Sequence, residues 1–264
     1  MALLLDWAYY VEVVARFSFR HWSDPFLEGP CPRTIIDPTT IIDPAALCAE
    51  VSDLTEPSPR HTSTFWKHLT STSQRPKTAA SSLDVIELLG EVSDATSARL
   101  PVDAAREDRG KHVNFLKILG WRIQKVVISA EDAEHRPEPQ QIMDLFRSAL
   151  LVYLYRANQE FLGSTSETQE RVDHSFEVLA RLRFCDRQFP IFVFGCEART
   201  EEQRRVILDV MARTEETVPC RSYQYMRTIL AGFWSQDDLA DGHVEYSQRL
   251  GRVLRWCTNL PAFV

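Results

Sequence analysis

Glycine is scarce in this sequence, with 9 in 264 residues, and no long flexible linker separates two complete hydrophobic patterns. The chain is long enough to bury a large core, and its 44% hydrophobic and 25% charged fractions are those of ordinary globular proteins. We therefore predict a single domain over residues 1–264, with long loops rather than a second core.

Closely spaced cysteines are also absent. The cysteine ligands of a zinc ion are usually about two to four residues apart in sequence. No two of the six cysteines come that close, since they stand at positions 31, 48, 185, 196, 220 and 257. The sequence therefore excludes zinc fingers and zinc binuclear clusters, and we predict no metal ligands. So few cysteines in a long chain favour reduced thiols in the nucleus or the cytoplasm.

Neither an excess of basic charge nor a long apolar run is present. The formal net charge is -7, with 37 acidic and 30 basic residues, so a phosphate backbone is on average repelled. No stretch approaches the roughly 18 uncharged apolar residues that a membrane span requires. The apolar run at the N-terminus stops at Asp6 and follows no basic residue, which is unlike a signal peptide. We expect no direct binding of nucleic acid by this chain and no insertion into a membrane.

The motifs of the common enzyme classes are missing as well. The sequence contains no GxSxG elbow, no glycine-rich phosphate loop, no HExxH helix and no dinucleotide-binding fingerprint. The leading interpretation is therefore a protein without catalytic residues and without a cofactor.

Helical periodicity, by contrast, runs through most of the chain. Apolar residues recur every three to four positions from Leu3 to Trp22, which predicts an amphipathic helix. Prolines and a Ser/Thr-rich composition interrupt this pattern, so 24–44 and 52–82 are predicted to be largely loop. Further helices are predicted at about 81–99, 101–130, 137–161, 165–184, 201–216, 221–234 and 241–258. The prediction is an all-α fold, an irregular bundle of roughly eight to ten helices.

The segment from Ile191 to Phe194 is the one place with strong β propensity. A lone strand has no partner to pair with, whereas Pro190 suits the first residue of a helix. We therefore predict a short buried helix at this position.

Glu197 is the first candidate for a binding role, because an unpaired carboxylate in an otherwise apolar helix is costly. An ion pair with Arg204, Arg205 or Arg227 would satisfy it. A role in ligand binding or catalysis is the alternative.

Aromatic residues supply the second set of candidates. Their side chains could line an apolar cavity between helices, although ordinary core packing gives the same pattern. Together with Glu197, the predicted ligand-binding residues are Trp22, Tyr153, Phe192, Phe194 and Trp234. If the protein is an enzyme, the catalytic candidates are Arg20, His21 and Glu197. A helix C-terminus with a packed tryptophan explains the first two of these equally well.

Three segments share features with a known family. The first runs from Leu5 to Trp22 and the third from Arg221 to Val264. The second and most specific begins at Phe189 and reads FPIFVFGCEARTEEQRR. It is similar to a WPLFIAGCEA…R block, with Phe189 in place of the usual tryptophan. Together they resemble the regulatory domain of fungal-specific transcription factors, the middle homology region of zinc binuclear cluster regulators, in the branch of acriflavine-resistance-type regulators.

This resemblance implies a regulatory or effector-binding domain. Its expected partner is a small apolar molecule or a protein, with homo- or hetero-oligomers as further states. Family members normally carry an N-terminal zinc cluster, whereas this chain starts at what resembles the middle of the domain. We therefore expect a fragment, or a natural derivative without a DNA-binding module. The alternative is a stand-alone enzyme or small-molecule-binding protein that acts on a fungal secondary metabolite. The shared segments are structural, so they predict fold more directly than activity.

Overall fold

The computed structural model describes nine stretches of the chain. They are residues 10–15, 17–18, 21, 82–97, 106–126, 137–163, 165–217, 221–239 and 245–255. All of them belong to one compact unit, which comprises residues 1–30 and 79–264. Both predicted loops, 24–44 and 52–82, lie outside the described residues except for Ser82, where a helix begins. Residues 31–78 fall outside this unit, so the single domain over the whole chain stays a prediction.

Every regular element among the described residues is a helix, which confirms the all-α prediction. Residues 10–15, 17–18 and 21 form an N-terminal helical segment. The helices that follow are α1 Ser82–Ser97, α2 Arg106–Lys125, α3 Pro137–Ala157, α4 Gln159–Leu162, α5 Ser166–Arg181, α6 Gln188–Glu197, α7 Glu201–Thr217, α8 Arg221–Leu239 and α9 Tyr246–Arg255.

Helix α6 is the centre of the core. All of its residues are buried, and it packs against α3, α5, α7 and α8. A helix that is apolar on every side has to be enclosed in this way, since no side of it can face water at low cost. The segment with strong β propensity is therefore a short buried helix, as predicted. It begins at Gln188 rather than at Pro190. Pro190 still fits, because the first N–H groups of a helix have no partner within the helix.

Both ends of α5 are fixed by side chains. Thr165 caps α5 by accepting a hydrogen bond from the backbone N–H of Thr168 at 3.3 Å. At the other end of α5, the Arg213 guanidinium of α7 donates to the carbonyls of Leu179 and Leu182, both at 3.1 Å. These bonds satisfy carbonyls that a helix terminus leaves free, and they join α7 to α5.

One predicted helix is divided in two. We predicted a continuous helix over 137–161, but α3 ends at Ala157 and α4 is a separate turn. The break lies at Asn158, whose backbone has non-helical angles, φ -117° and ψ 31°, and whose side-chain amide donates to the Leu154 carbonyl at 2.9 Å. Such a local bond competes with the backbone ladder of a helix. Gly163 then ends α4 at a positive φ of 74°, a conformation that glycine adopts without strain.

Within the described residues, no helix combines the length and the apolar character that crossing a bilayer demands.

Candidate functional site

A set of polar side chains lies in the interior where the N-terminal helical segment, α3, α6 and α9 meet. We call it the polar core cluster, and its members are His21, Tyr153, Arg156, Glu197 and Tyr246. All but Arg156 are at most 7% exposed. Polar groups at this depth need partners, because they have left their water.

Glu197 has one satisfied oxygen and one that is not. Arg156 of α3 donates to its Oε2 from Nε at 3.0 Å and approaches it with a second nitrogen at 2.9 Å. The Glu197 side chain is only 3% exposed, and its Oε1 has no hydrogen-bond partner among the described residues. An ion pair was predicted for this residue, but with Arg204, Arg205 or Arg227. Sequence position alone could not indicate that the last turns of α3 and α6 lie side by side.

His21 and Tyr153 form a buried hydrogen bond. The His21 Nε2 and the Tyr153 hydroxyl are 2.7 Å apart. Phe17 packs edge-on against both rings, at centroid distances of 5.2 and 4.9 Å. The Tyr153 ring also lies 6.5 Å from that of Tyr246 in α9. These contacts place one sequence-predicted catalytic candidate and one ligand-binding candidate in direct contact.

The Tyr246 hydroxyl is buried and has no hydrogen-bond partner in the part of the chain that the structure describes. Burial raises the pKa of Tyr246 well above its usual value, and Cys196 and Glu197 raise it further. The phenol is therefore neutral and can donate its proton to a hydrogen bond. A free donor on Tyr246 and a free acceptor on Glu197 are suited to a ligand hydroxyl, which can both accept and donate.

A network of charges lies next to this cluster, between α8 and α9. Asp237 of α8 forms ion pairs with Arg199, at 2.7 Å, and with Arg249 of α9. The Arg249 guanidinium also lies 4.2 Å above the Phe233 ring. Burial lowers the pKa of Arg249 and raises the pKa of Asp237, so for each of them burial outweighs the opposite charge.

Trp234, a predicted ligand-binding residue, belongs to the packing of α6 against α8. Its Nε1 donates to the Gly195 carbonyl at 2.8 Å. The Arg204 guanidinium lies 5.6 Å from its ring centroid and pairs with Asp238 at 2.6 Å. Its contacts are thus those of a core tryptophan with a satisfied N–H group.

The remaining predicted residues do not share one wall. Phe192 packs toward Phe17, at 6.2 Å, whereas Phe194 packs toward Phe176 of α5, at 6.4 Å. Residues two apart in a helix point in nearly opposite directions, which separates the two phenylalanines. The other two candidates, Arg20 and Trp22, lie outside the described residues.

Two of the cavities in the described part of the molecule are small, and each offers about 10 Å³. That is room for about one water molecule. One lies between α3 and α5 beside Tyr155 and Thr168, and the other lies beside Tyr10 and Met143. None of the predicted site residues lines either cavity, so their role in ligand binding stays a prediction.

The described residues form neither a metal site nor a reactive thiol. Across the stretches that the structure describes, no three His, Cys, Asp or Glu side chains converge as metal ligands do. Cys196 is fully buried, and burial raises the pKa of its thiol well above the usual value. The thiol is therefore protonated and a poor nucleophile.

Sequence reasoning missed Tyr246 and Arg249. A signal was present, because Tyr246, Arg249 and Leu250 recur at helical spacing on the buried stripe of α9. A charged residue inside an apolar stripe needs a partner in the core. That pattern could have identified Arg249, but not Asp237 as its partner.

Comparison with known proteins gives two findings on relatedness. Residues 1–258 match the fungal specific transcription factor domain. The chain is 31% identical over 266 residues to the protein named transcription factor iacI from Pestalotiopsis fici. That alignment covers 100% of this chain and 59% of the relative, so the chain spans little more than half the length of the relative it matches. No solved structure matches. By the match over nearly its whole length, the chain belongs to the family of the fungal specific transcription factor domain.

Proposed function

We propose that this chain is the effector-responsive regulatory domain of a fungal transcription regulator, that it acts in the nucleus, and that it does not itself bind promoter DNA. Family membership and the related transcription factor support the regulatory role. The net charge of -7 and the wide spacing of the cysteines support the absence of direct DNA binding.

The observation that carries the effector-binding part is the pair of unsatisfied groups in the polar core cluster. The Glu197 Oε1 and the Tyr246 hydroxyl are buried, and no described residue forms a hydrogen bond with either of them. Each costs about 1–3 kcal/mol in this state, so an interaction that satisfies both is favoured by a comparable amount. A small, largely apolar molecule with one hydroxyl or carbonyl group fits the aromatic surroundings and these two polar groups.

The element that responds is α9. It contributes Tyr246 to the cluster, and its Arg249 is attached to α8 through Asp237. A ligand between Glu197 and Tyr246 displaces α9, because both residues lie in the packed interior, at 4% and 5% exposure. The ligand thus selects a second packing of α9, and the equilibrium shifts by the difference between its affinities for the two packings.

No observation favours the alternative of an enzyme over this proposal. Glu197 and His21 both hydrogen bond to protein side chains, and both lie in the packed interior.

The test uses Tyr246→Phe in the gene that encodes this chain. Removing an unsatisfied hydroxyl raises the stability of the folded chain by about 1 kcal/mol. It also removes the donor for the effector. We therefore expect this variant not to restore the normal levels of the transcripts that change when the gene is deleted. The matched control is Gly110→Ala, because a Cβ at this exposed position of α2 meets nothing within 4 Å. It raises stability by up to about 1 kcal/mol without touching the cluster.

RNA sequencing of the deletion strain, complemented with each version, provides the readout. The wild type and Gly110→Ala should restore the pattern, and Tyr246→Phe should not. If deletion changes no transcripts, the regulatory role is wrong. If Tyr246→Phe restores the pattern fully, the polar core cluster is not the effector site. Retarded migration of duplex DNA by the purified chain at physiological salt would contradict the absence of direct DNA binding.

A further inference from the structure

Helix α2 carries a row of large apolar side chains on its outer face. Phe115, Ile118 and Trp121 are 46%, 58% and 59% exposed. They are three of the five large hydrophobic residues that are exposed in the described part of the chain, and the other two, Leu208 and Leu239, lie on different helices. Exposed apolar side chains grouped in this way mark interaction surfaces more often than single ones do.

The opposite face of α2 already has its partners. Leu116, Leu119 and Ile123 are buried, and Gly120 brings α2 close to Leu154 of α3. Successive residues of a helix are rotated by about 100°, so residues three apart lie near the same side of it. The outer row is on another side of α2 from the buried residues and is not needed for this packing. The apolar side chains on the outer face are therefore surplus to the fold.

The outer row is bordered by positive charge. From Gly110 to Lys125 the helix contains basic residues and no acidic ones, in a chain whose net charge is -7. Lys117 and Lys125 are exposed and form no ion pair with any residue that the structure describes, whereas Arg122 pairs with Glu91 of α1. Lys125 in the last turn suits the helix dipole, but Lys117 lies in the middle of the helix and gains nothing from it. We name Phe115, Ile118, Trp121, Lys117 and Lys125 the α2 face.

We propose that the α2 face is a docking surface for an acidic amphipathic helix of a partner protein. From Phe115 to Trp121 the row extends about 9 Å along the axis, or nearly two turns. A partner helix with apolar residues at positions i, i+3 or i+4, and i+7 matches this length. Carboxylates beside those residues pair with Lys117 and Lys125, which steer the partner and fix its register.

A second copy of this chain is a poorer match. Exposed acidic residues lie on α5, at Glu167, Glu170, Asp173 and Glu177, and on α7, at Glu201, Glu202, Asp209 and Glu216. No large hydrophobic residue on α5 is exposed, and on α7 beside it only Leu208 is, at 37%. Pairing of two α2 faces would bring like charges together. The favoured partner therefore carries several large apolar residues along one acidic helix, whereas α5 exposes none and α7 exposes one.

The probe is a dye-labelled helical peptide of about 16 residues with Leu and Phe on one face and Asp and Glu on the other. Fluorescence anisotropy with the full chain at about 0.1 M salt should show saturable binding that weakens as salt increases. Trp121→Ser should weaken binding about tenfold or more. Lys117→Glu combined with Lys125→Glu should weaken it and remove most of the salt dependence.

Matched control variants on α7 are Leu208→Ser and Arg205→Glu, which also change an exposed apolar and an exposed basic residue. They should leave binding unchanged. Thermal unfolding should not differ between Trp121→Ser and the wild type, because the side chain is more than half exposed; this separates lost binding from lost folding.

Several results would overturn the proposal. One is the absence of saturable binding to the wild type, and another is equal binding of a peptide with Lys in place of its acidic residues. Duplex DNA binding that disappears in the same variants would assign the α2 face to nucleic acid. A dimer in sedimentation that requires Trp121 would assign it to a second copy. Changed hydrogen exchange elsewhere in the isolated chain of Trp121→Ser would assign it to a segment of this chain.

Discussion

Gly195 is required by the close approach of α6 to α8. A Cβ at this position would lie 2.7 Å from both methyl carbons of Leu230, which is fully buried. The same glycine also offers its carbonyl to the Trp234 side chain. The glycine in the segment FPIFVFGCEA is thus explained by packing, and so is the glutamate two residues later by its pairing with Arg156.

Gly195→Ala should therefore lower the free energy of unfolding. Overpacking lowers the free energy of unfolding by about 1–3 kcal/mol, and the better helix propensity of alanine offsets up to about 1 kcal/mol of this loss. We expect a net loss of about 1–2 kcal/mol in urea denaturation. Leu230→Val removes the methyl carbons that the new Cβ meets, so in that background Gly195→Ala should cost close to nothing. Equal losses in both backgrounds would show that Leu230 is not the obstacle.

Helices α8 and α9 are joined by a buried ion pair, and the burial of its two charges is costly. The side chains of Arg249 and Asp237 are only 6% and 13% exposed. Burial lowers the pKa of Arg249 and raises the pKa of Asp237, and each shift favours the neutral form of that residue. The pair is thus expected to contribute little net stability, whereas loss of one partner leaves a buried charge.

Asp237→Leu or Arg249→Met alone should each lower the free energy of unfolding by about 3 kcal/mol. The double variant Asp237→Leu/Arg249→Met should lose less than either single one, because it leaves no isolated charge in the core. Arg199→Ala serves as a control, since its side chain is 53% exposed and exposed pairs contribute about 0–1 kcal/mol. Urea denaturation of the four variants tests this, and additive losses in the double variant would contradict it.

At the level of elements the sequence was informative, because periodicity and capping residues are local. The helices over 82–97, 166–181 and 201–217 agree with the predicted ranges to within a few residues. The sequence did not predict the division of α3 from α4, because that division depends on the conformation of Asn158 in the folded chain. The partners of Glu197 and Arg249 were missed because helix packing, rather than spacing along the chain, brings Arg156 and Asp237 to them.

On the scale of the whole molecule, Phe17 connects distant parts of the chain. It is fully buried, and its ring lies 4.9 Å from that of Tyr153 in α3 and 5.3 Å from that of Phe189 in α6. These contacts span well over a hundred residues of sequence. The N-terminal helical segment is consequently part of the same core as α3 and α6, and it places His21 in the polar core cluster.

Phe17→Ala should lower the free energy of unfolding by about 3–5 kcal/mol, as expected for a large aromatic side chain lost from a packed core. Because one ring supports several elements, hydrogen exchange should speed up together in the N-terminal helical segment, α3 and α6. Phe115→Ala on the α2 face is the matched control. It should change stability by no more than about 0.5 kcal/mol, because that ring is 46% exposed. If Phe17→Ala speeds exchange in the N-terminal helical segment alone, that segment is an independent unit, and His21 can leave the polar core cluster without disturbing Glu197 and Tyr246.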